Sequence, residues 1–178
     1  MRLHIYNFRA QVCAPNYKEL KLNFFRRFRK SKRHFKNYRT AKKVSKKINS
    51  QDFLYDSMIL SYLRKIDPFV FEELLLYTFR QRGMKTYRNK RYTGDGGIDG
   101  KVRIDGYVYY IQAKRYQDYI NLQHVIEFNE LCKRFNKKGF FIHTGKTGEA
   151  AGKIGKSEQS NIQIVSGQKL IDFLKYKE

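Results

Sequence analysis

Three residues in one short segment, TGDGGIDGKVRIDGYVYYIQAK (residues 93–114), offer the groups for a single piece of chemistry. Asp99 supplies a carboxylate, Gln112 an amide oxygen and Lys114 an ammonium. A divalent cation such as Mg2+, for which Mn2+ can substitute, takes a few carboxylate or carbonyl oxygens and keeps several waters. Asp99, the Gln112 amide oxygen and the Ala113 carbonyl would suffice as its protein ligands. Lys114 would then sit beside a scissile phosphate, steadying developing negative charge or aligning the attacking water. The chemistry these groups suit is metal-assisted phosphodiester hydrolysis.

Turn chemistry is what brings them together. Asp105-Gly106 lies between two runs of strand formers, residues 101–104 and 107–111, the signature of a two-residue hairpin turn. Ile104 then faces Tyr107, and the same register carried outward sets Asp99 opposite Gln112, with Cβ atoms about 4.5–5.5 Å apart and Lys114 on the diagonal at roughly 7–8 Å. Alternation predicts Asp99, Gln112 and Lys114 on one face, and Ile98, Val102, Ile104, Tyr107, Tyr109, Ile111 and Ala113 on the other. A three-residue loop would slip the register by one and break the set. Gly94, Gly96, Gly97 and Gly100 allow close approach of a phosphate backbone, and Asp95 reads as a turn-maker.

A further carboxylate comes from the apolar stretch 68–82, where Glu72 and Glu73 stand among Phe71, Leu74, Leu75, Leu76 and Phe79. A buried carboxylate needs a partner, and a cation near Asp99 would be one for Glu72; solvent or an arginine would be another. The competing readings, which the polar pairing outweighs, are a structural aspartate for Asp99 and a surface lysine at a strand end for Lys114.

The elements that must position these groups follow from periodicity. Residues 51–65 form an apolar-faced helix, and Asp67-Pro68 caps a largely buried helix to Arg82, closed by Gly83. A strand at 84–88 and the hairpin follow. Then come a helix over 117–135, a strand at 138–144, a helix at 149–157, a strand at 161–166 and a closing helix at 168–176. This order predicts an α/β fold, a central mixed sheet flanked by helices. Residues 1–50 form a basic, partly helical arm and residues 51–178 the catalytic domain.

The chain of 178 residues carries a net charge of +22, unevenly spread. Residues 1–50 hold 16 Lys or Arg against Glu19 alone. Phe24, Phe25, Phe28, Phe35, Tyr17 and Tyr38 are interleaved with the cations, a composition that suits nucleic acid better than a solvated tail or an anionic membrane surface. The expected DNA contacts are Arg26, Arg27, Arg29, Lys30, Lys32, Arg33 and Lys36 from the arm, with Arg115 and Tyr116 just beyond Lys114. No apolar run approaches a membrane span and the N-terminus lacks a signal-peptide core, so the expectation is a cytoplasmic protein with no membrane partner. Cys13 and Cys132 have no metal or redox spacing. Gly145-Lys146-Thr147 lacks the upstream glycine of a phosphate loop, since position 140 is Phe. His143 reads as a packed residue.

From about Asp67 to Ala151 the chain resembles the catalytic domain of Mrr-type restriction endonucleases, within the PD-(D/E)xK nuclease superfamily. The matching text is Phe71-Glu72, then Gly94-Asp95-Gly96-Gly97-Ile98-Asp99-Gly100, Gln112-Ala113-Lys114-Arg115-Tyr116, and Gly139-Phe140-Phe141-Ile142-His143-Thr144-Gly145 followed by Ala150. The resemblance implies a restriction-endonuclease-like fold, a divalent metal and DNA cleavage. It assigns catalytic roles to Asp99, Gln112 and Lys114, with Glu72 as helper. Gln112 replaces the superfamily's usual acid, a variant found in the Mrr group. The residues before Asp67 are not expected to hold both the basic arm and the winged-helix recognition domain that many such enzymes carry. Two alternatives stand beside a DNA endonuclease: a non-catalytic DNA-binding module on a nuclease fold, and a structure-specific nuclease acting on junctions or flaps. Double-strand cleavage would need two sites, hence a homodimer.

Overall fold

A computed structural model describes residues 32–50, 52–88 and 97–175. In chain order the elements are α1 (Lys32–Asn49), α2 (Asp56–Leu63), α3 (Pro68–Gln81), β1 (Lys85–Arg88), β2 (Gly100–Ile104), β3 (Tyr107–Lys114), α4 (Leu122–Arg134), β4 (Lys138–His143), α5 (Glu149–Lys156), β5 (Ile162–Val165) and α6 (Gly167–Leu174). The five strands form one sheet in sequence order; β1–β2 and β2–β3 are antiparallel, β3–β4 and β4–β5 parallel. This is the mixed sheet the element order predicts.

Helices cover both faces. On one, Val102, Ile104, Tyr109, Ile111, Phe140, Ile142 and Val165 pack with α1, α2, α3 and α6. On the other, Tyr110, Phe141 and Ile162 pack with Val125, Phe128, Cys132 and Ala151 from α4 and α5. Alternation along β3 therefore sends Tyr109, Ile111 and Ala113 one way and Tyr110 the other. β4 is buried on both sides, as expected of a parallel strand between helical layers.

α3 is built as its sequence predicts. The Asp67 side chain accepts hydrogen bonds from the amides of Phe69 and Val70, and Pro68 takes the first helical position, where its missing N–H costs nothing. Gly83, at φ +80°, follows the helix in the left-handed conformation.

Two helices start later than periodicity suggests. α2 begins at Asp56, because residues 52–55 turn so that the Phe53 ring packs 5.5 Å from that of Tyr62. α4 begins at Leu122, capped by the Asn121 side chain on the Gln123 amide. Residues 118–120 instead form an isolated parallel bridge with the β4–α5 loop: the Lys146 amide donates to the Asp118 carbonyl and the Ile120 amide to the Lys146 carbonyl.

α1 lies inside the segment expected to be a basic arm, yet Ala41, Val44 and Ile48 are buried in the larger core cluster. Burial of Val44 and Ile48 contributes about 1.5–3 kcal/mol each. Like-charge pairs on the same helix cost only about 0.2–0.5 kcal/mol each, so packing wins and the helix docks. Arg26, Arg27, Arg29 and Lys30 lie outside the described residues.

Candidate active site

The hairpin turn is as expected. Asp105 (φ +48°) and Gly106 (φ +82°) are both left-handed, as a two-residue turn between twisted strands requires, and Ile104 pairs with Tyr107. The ladder continues outward to Gly100–Ile111 and ends there.

At that point the structure departs from the extrapolated register. The Asp99 amide donates to the Ile111 carbonyl at 2.8 Å, so Asp99 and Gly100 both stand against Ile111 in a β-bulge, and Asp99 is not directly opposite Gln112. The bulge shifts the side chains before it by one. Ile98, expected with Val102 and Ile104, packs against the opposite cluster with Tyr110 and Phe141. Tyr107, at the hairpin tip, is exposed rather than packed.

The bulge aims the Asp99 carboxylate along the sheet. Its Oδ2 accepts a 2.7 Å hydrogen bond from the Ala113 amide. A strand residue's amide and carbonyl point to the same neighbour. The Ala113 carbonyl is therefore directed the same way, past the last β2–β3 pair. Gln112 is buried; its Nε2 donates 2.8 Å to the Gly97 carbonyl, while its Oε1 has no hydrogen-bond partner among the described residues. Gly97 suits its place: at φ +89° a side chain would be strained, and a Cβ would stand 2.7 Å from Gln112 Nε2, displacing the amide.

α3 brings Glu72 to this end of the hairpin. Burial, the neighbouring Asp99 and then Glu73 push the Glu72 carboxyl up to about 9, against a smaller opposing pull from Lys114. Burial raises Asp99 to about 6, opposed by the Ala113 amide and by Lys114. Each carboxyl thus senses Lys114, and Glu72 senses Asp99. At neutral pH the pair shares too little positive charge, and Glu72 holds a proton. Glu73 differs: it is 2% exposed, its Oε2 lies 2.6 Å from Arg88 Nε and its Oε1 3.4 Å from His34 Nδ1. It is the partnered glutamate, tying α1 and β1 to α3.

The donors fit a hard divalent cation. Two carboxylates short of positive charge, an amide oxygen without a partner and a free-directed carbonyl are the oxygen types Mg2+ or Mn2+ accepts. No group of three His, Cys, Asp or Glu able to hold a metal occurs among the described residues, so an ion here would depend on the amide and carbonyl oxygens.

The loops beyond Lys114 are stitched to the β4–α5 loop. Thr144 donates its amide to the Lys114 carbonyl, and its Oγ1 accepts from the Tyr116 amide and donates to the Tyr116 carbonyl, both at 3.0 Å. Arg64 Nε donates to the Thr144 carbonyl, and Arg115 Nη1 to the Arg64 carbonyl at 2.8 Å. The Tyr116 hydroxyl is bonded to His124 Nδ1. Arg115 and Tyr116, expected as DNA contacts, thus brace the site. Arg33 lies over the Phe69 ring at 4.5 Å, Lys32 belongs to the first turn of α1 and Lys36 is exposed. Sequence reasoning missed the bracing roles of Arg64 and Thr144, which no local pattern marks. His143 is fully buried, with burial lowering it to about 4 and Thr147 Oγ1 at 3.0 Å from Nε2; it is a neutral packed residue.

The mixed sheet with this hairpin, flanked by helices on both faces, has the restriction-endonuclease-like α/β fold. The Mrr_cat family model, described as "Restriction endonuclease", matches residues 63–174. The chain belongs to that family. It is 28% identical over 124 residues to the type IV methyl-directed restriction enzyme EcoKMrr of Escherichia coli K12, an alignment covering 65% of this chain and 40% of that protein. The chain thus spans about two fifths of the curated relative it matches. The MspJI restriction endonuclease, solved in complex with a 27-mer oligonucleotide, superposes with a TM-score of 0.54 at 22% identity, covering 72% of this chain and 33% of that one. Among the described residues no helix is long and apolar enough to cross a membrane.

Proposed function

We propose that this chain is a Mg2+-dependent endodeoxyribonuclease that hydrolyses phosphodiester bonds in DNA at the Asp99–Gln112–Lys114 hairpin. The observation that carries the reading is the Glu72–Asp99 carboxyl pair, both raised, beside Lys114 at the open end of the hairpin. Glu72 and Asp99 are each half-buried, and holding two acids side by side out of water is destabilising unless a cation joins them. Glu72, Asp99, the Gln112 amide oxygen and the Ala113 carbonyl would hold the ion. A bound divalent cation lowers the pKa of water and offsets charge developing on phosphate oxygens.

The chain's own residues do the rest. The Ala113 amide fixes the Asp99 carboxylate in advance, so little reorganisation is needed. Glu72 would hold the ion only as a carboxylate, so its raised carboxyl would have to be deprotonated in the metal-bound site. Lys114 places its ammonium beside the scissile phosphate, where one well-aimed donor is worth about 10²–10³ in rate. Gln112 contributes an oxygen without a charge, leaving the site one charge short of an all-acid set and more dependent on DNA phosphate to complete it. Cutting both strands at once takes two such sites, hence two copies of the chain. A reducing cytoplasm suits the buried free thiol of Cys132, raised by burial to about 12.

The test is cleavage of supercoiled plasmid in Mg2+ or Mn2+ by the wild type, Asp99→Ala and Lys114→Ala. Nicking or linearisation by the wild type alone is expected. Equal cleavage by all three would place the activity elsewhere. DNA binding by all three without cleavage by any would favour a non-catalytic module.

A further inference from the structure

α1 carries eight Lys or Arg in 18 residues and no acid. Its buried side is Asn37, Ala41, Val44, Ser45 and Ile48. At 100° per residue, the positions directly opposite are Lys36, Arg39, Lys43 and Lys46, all exposed. None of the four forms an ion pair among the described residues. They make a cationic stripe about 15 Å long, one row along the outer face of the helix.

The helix is also aligned with the site. His34 meets Glu73, and Tyr38 packs 5.9 Å from Tyr77, so α1 and α3 run parallel. Arg33, over Phe69, brings the first turn of α1 to the part of α3 that carries Glu72. The stripe therefore leads away from the active site along one flank of the domain.

We infer that Lys36, Arg39, Lys43 and Lys46 form a track for the phosphate backbone of duplex DNA flanking the cleavage position. The inference rests on the nuclease reading for the identity of its ligand. A duplex carries one charge per about 1.7 Å of axis, so 15 Å presents roughly nine phosphates to choose from. A bilayer is disfavoured as the partner by the helix itself. An interfacial helix inserts its apolar face, and that face of α1 is already buried in the protein core. What remains outside is charge alone, which suits a partner gripped through its backbone without sequence readout.

The experiment measures binding of the full chain to a double-stranded oligonucleotide by fluorescence anisotropy over a range of KCl, in EDTA so that no cleavage occurs. The variants are Lys36→Gln, Arg39→Gln, Lys43→Gln and Lys46→Gln combined, and a charge-matched control of Lys133→Gln, Arg134→Gln, Lys137→Gln and Lys138→Gln at the far end of α4. Thermal melts check that both fold. With about 0.9 per phosphate contact, the slope of log K against log salt should fall by about 3–4 in the first variant. It should stay within about one unit in the control, and Lys36→Arg, Lys43→Arg and Lys46→Arg together should keep it. An unchanged slope in the first variant, or an equal fall in the control, overturns the track. So does lost binding to phosphatidylcholine–phosphatidylserine vesicles with the DNA slope intact. Because no metal is present, the result is independent of cleavage: a protein inactive on plasmid that still shows the fall keeps the track and loses the catalytic reading.

Discussion

Glu72 makes the conflict between stability and chemistry visible at a single side chain. Its folded value near 9 lies above the ordinary 4.5, so the unfolded chain ionises it more readily. The destabilisation is absent below about pH 4.5 and grows as pH rises towards 9. Glu72→Gln removes that liability. In EDTA the variant should be more stable than wild type in urea at about pH 8, with the difference shrinking as pH falls towards 4.5, while plasmid cleavage drops. Equal stability at both pH values would mean that Glu72 reaches solvent and is not part of a cation site. The sequence showed two adjacent acids in a buried helix but not how they divide the work, because Arg88 and His34, which satisfy Glu73, are remote in the chain.

At the scale of elements, the hairpin was the most readable part of the molecule. Asp105-Gly106 dictates a left-handed pair, and the register from Ile104–Tyr107 to Gly100–Ile111 follows from it. The bulge at Asp99 did not follow. A period-two pattern carries no mark of where a ladder stops, and the carboxylate's bond to the Ala113 amide is a side-chain event. The start of α4 was misplaced for a related reason: residues 118–120 pair with Lys146, a partner supplied by a loop distant in sequence. Gly145 is where those loops meet, and a Cβ there would lie 2.3 Å from the Asp118 carbonyl oxygen and 2.6 Å from Tyr116 Cβ. Neither contact is with the end of a flexible side chain. Gly145→Ala should therefore cost about 1–3 kcal/mol by urea unfolding and slow cleavage, since the loop it presses on follows directly on Lys114. A neutral outcome would show that the stitched loops are dispensable for holding the site.

Across the whole molecule, three stretches far apart in sequence must converge: α3 with Glu72, the bulge with Asp99, and the end of β3 with Gln112, Ala113 and Lys114. Composition announced a partner of opposite charge but assigned residues 1–50 to an arm. The apolar stripe of Ala41, Val44 and Ile48 is thin among lysines, and only the groove it fills against α3 and α6 reveals that this helix belongs to the core. The central claim is that this convergence builds a cation site. Anomalous diffraction from crystals soaked in Mn2+ tests it without relying on activity. The account predicts a peak bonded at about 2.1 Å by carboxylate oxygens of Glu72 and Asp99, with Gln112 Oε1 and the Ala113 carbonyl completing the protein ligands. A fully soaked crystal with its manganese elsewhere, or with Asp99 turned away from the ion, would contradict it.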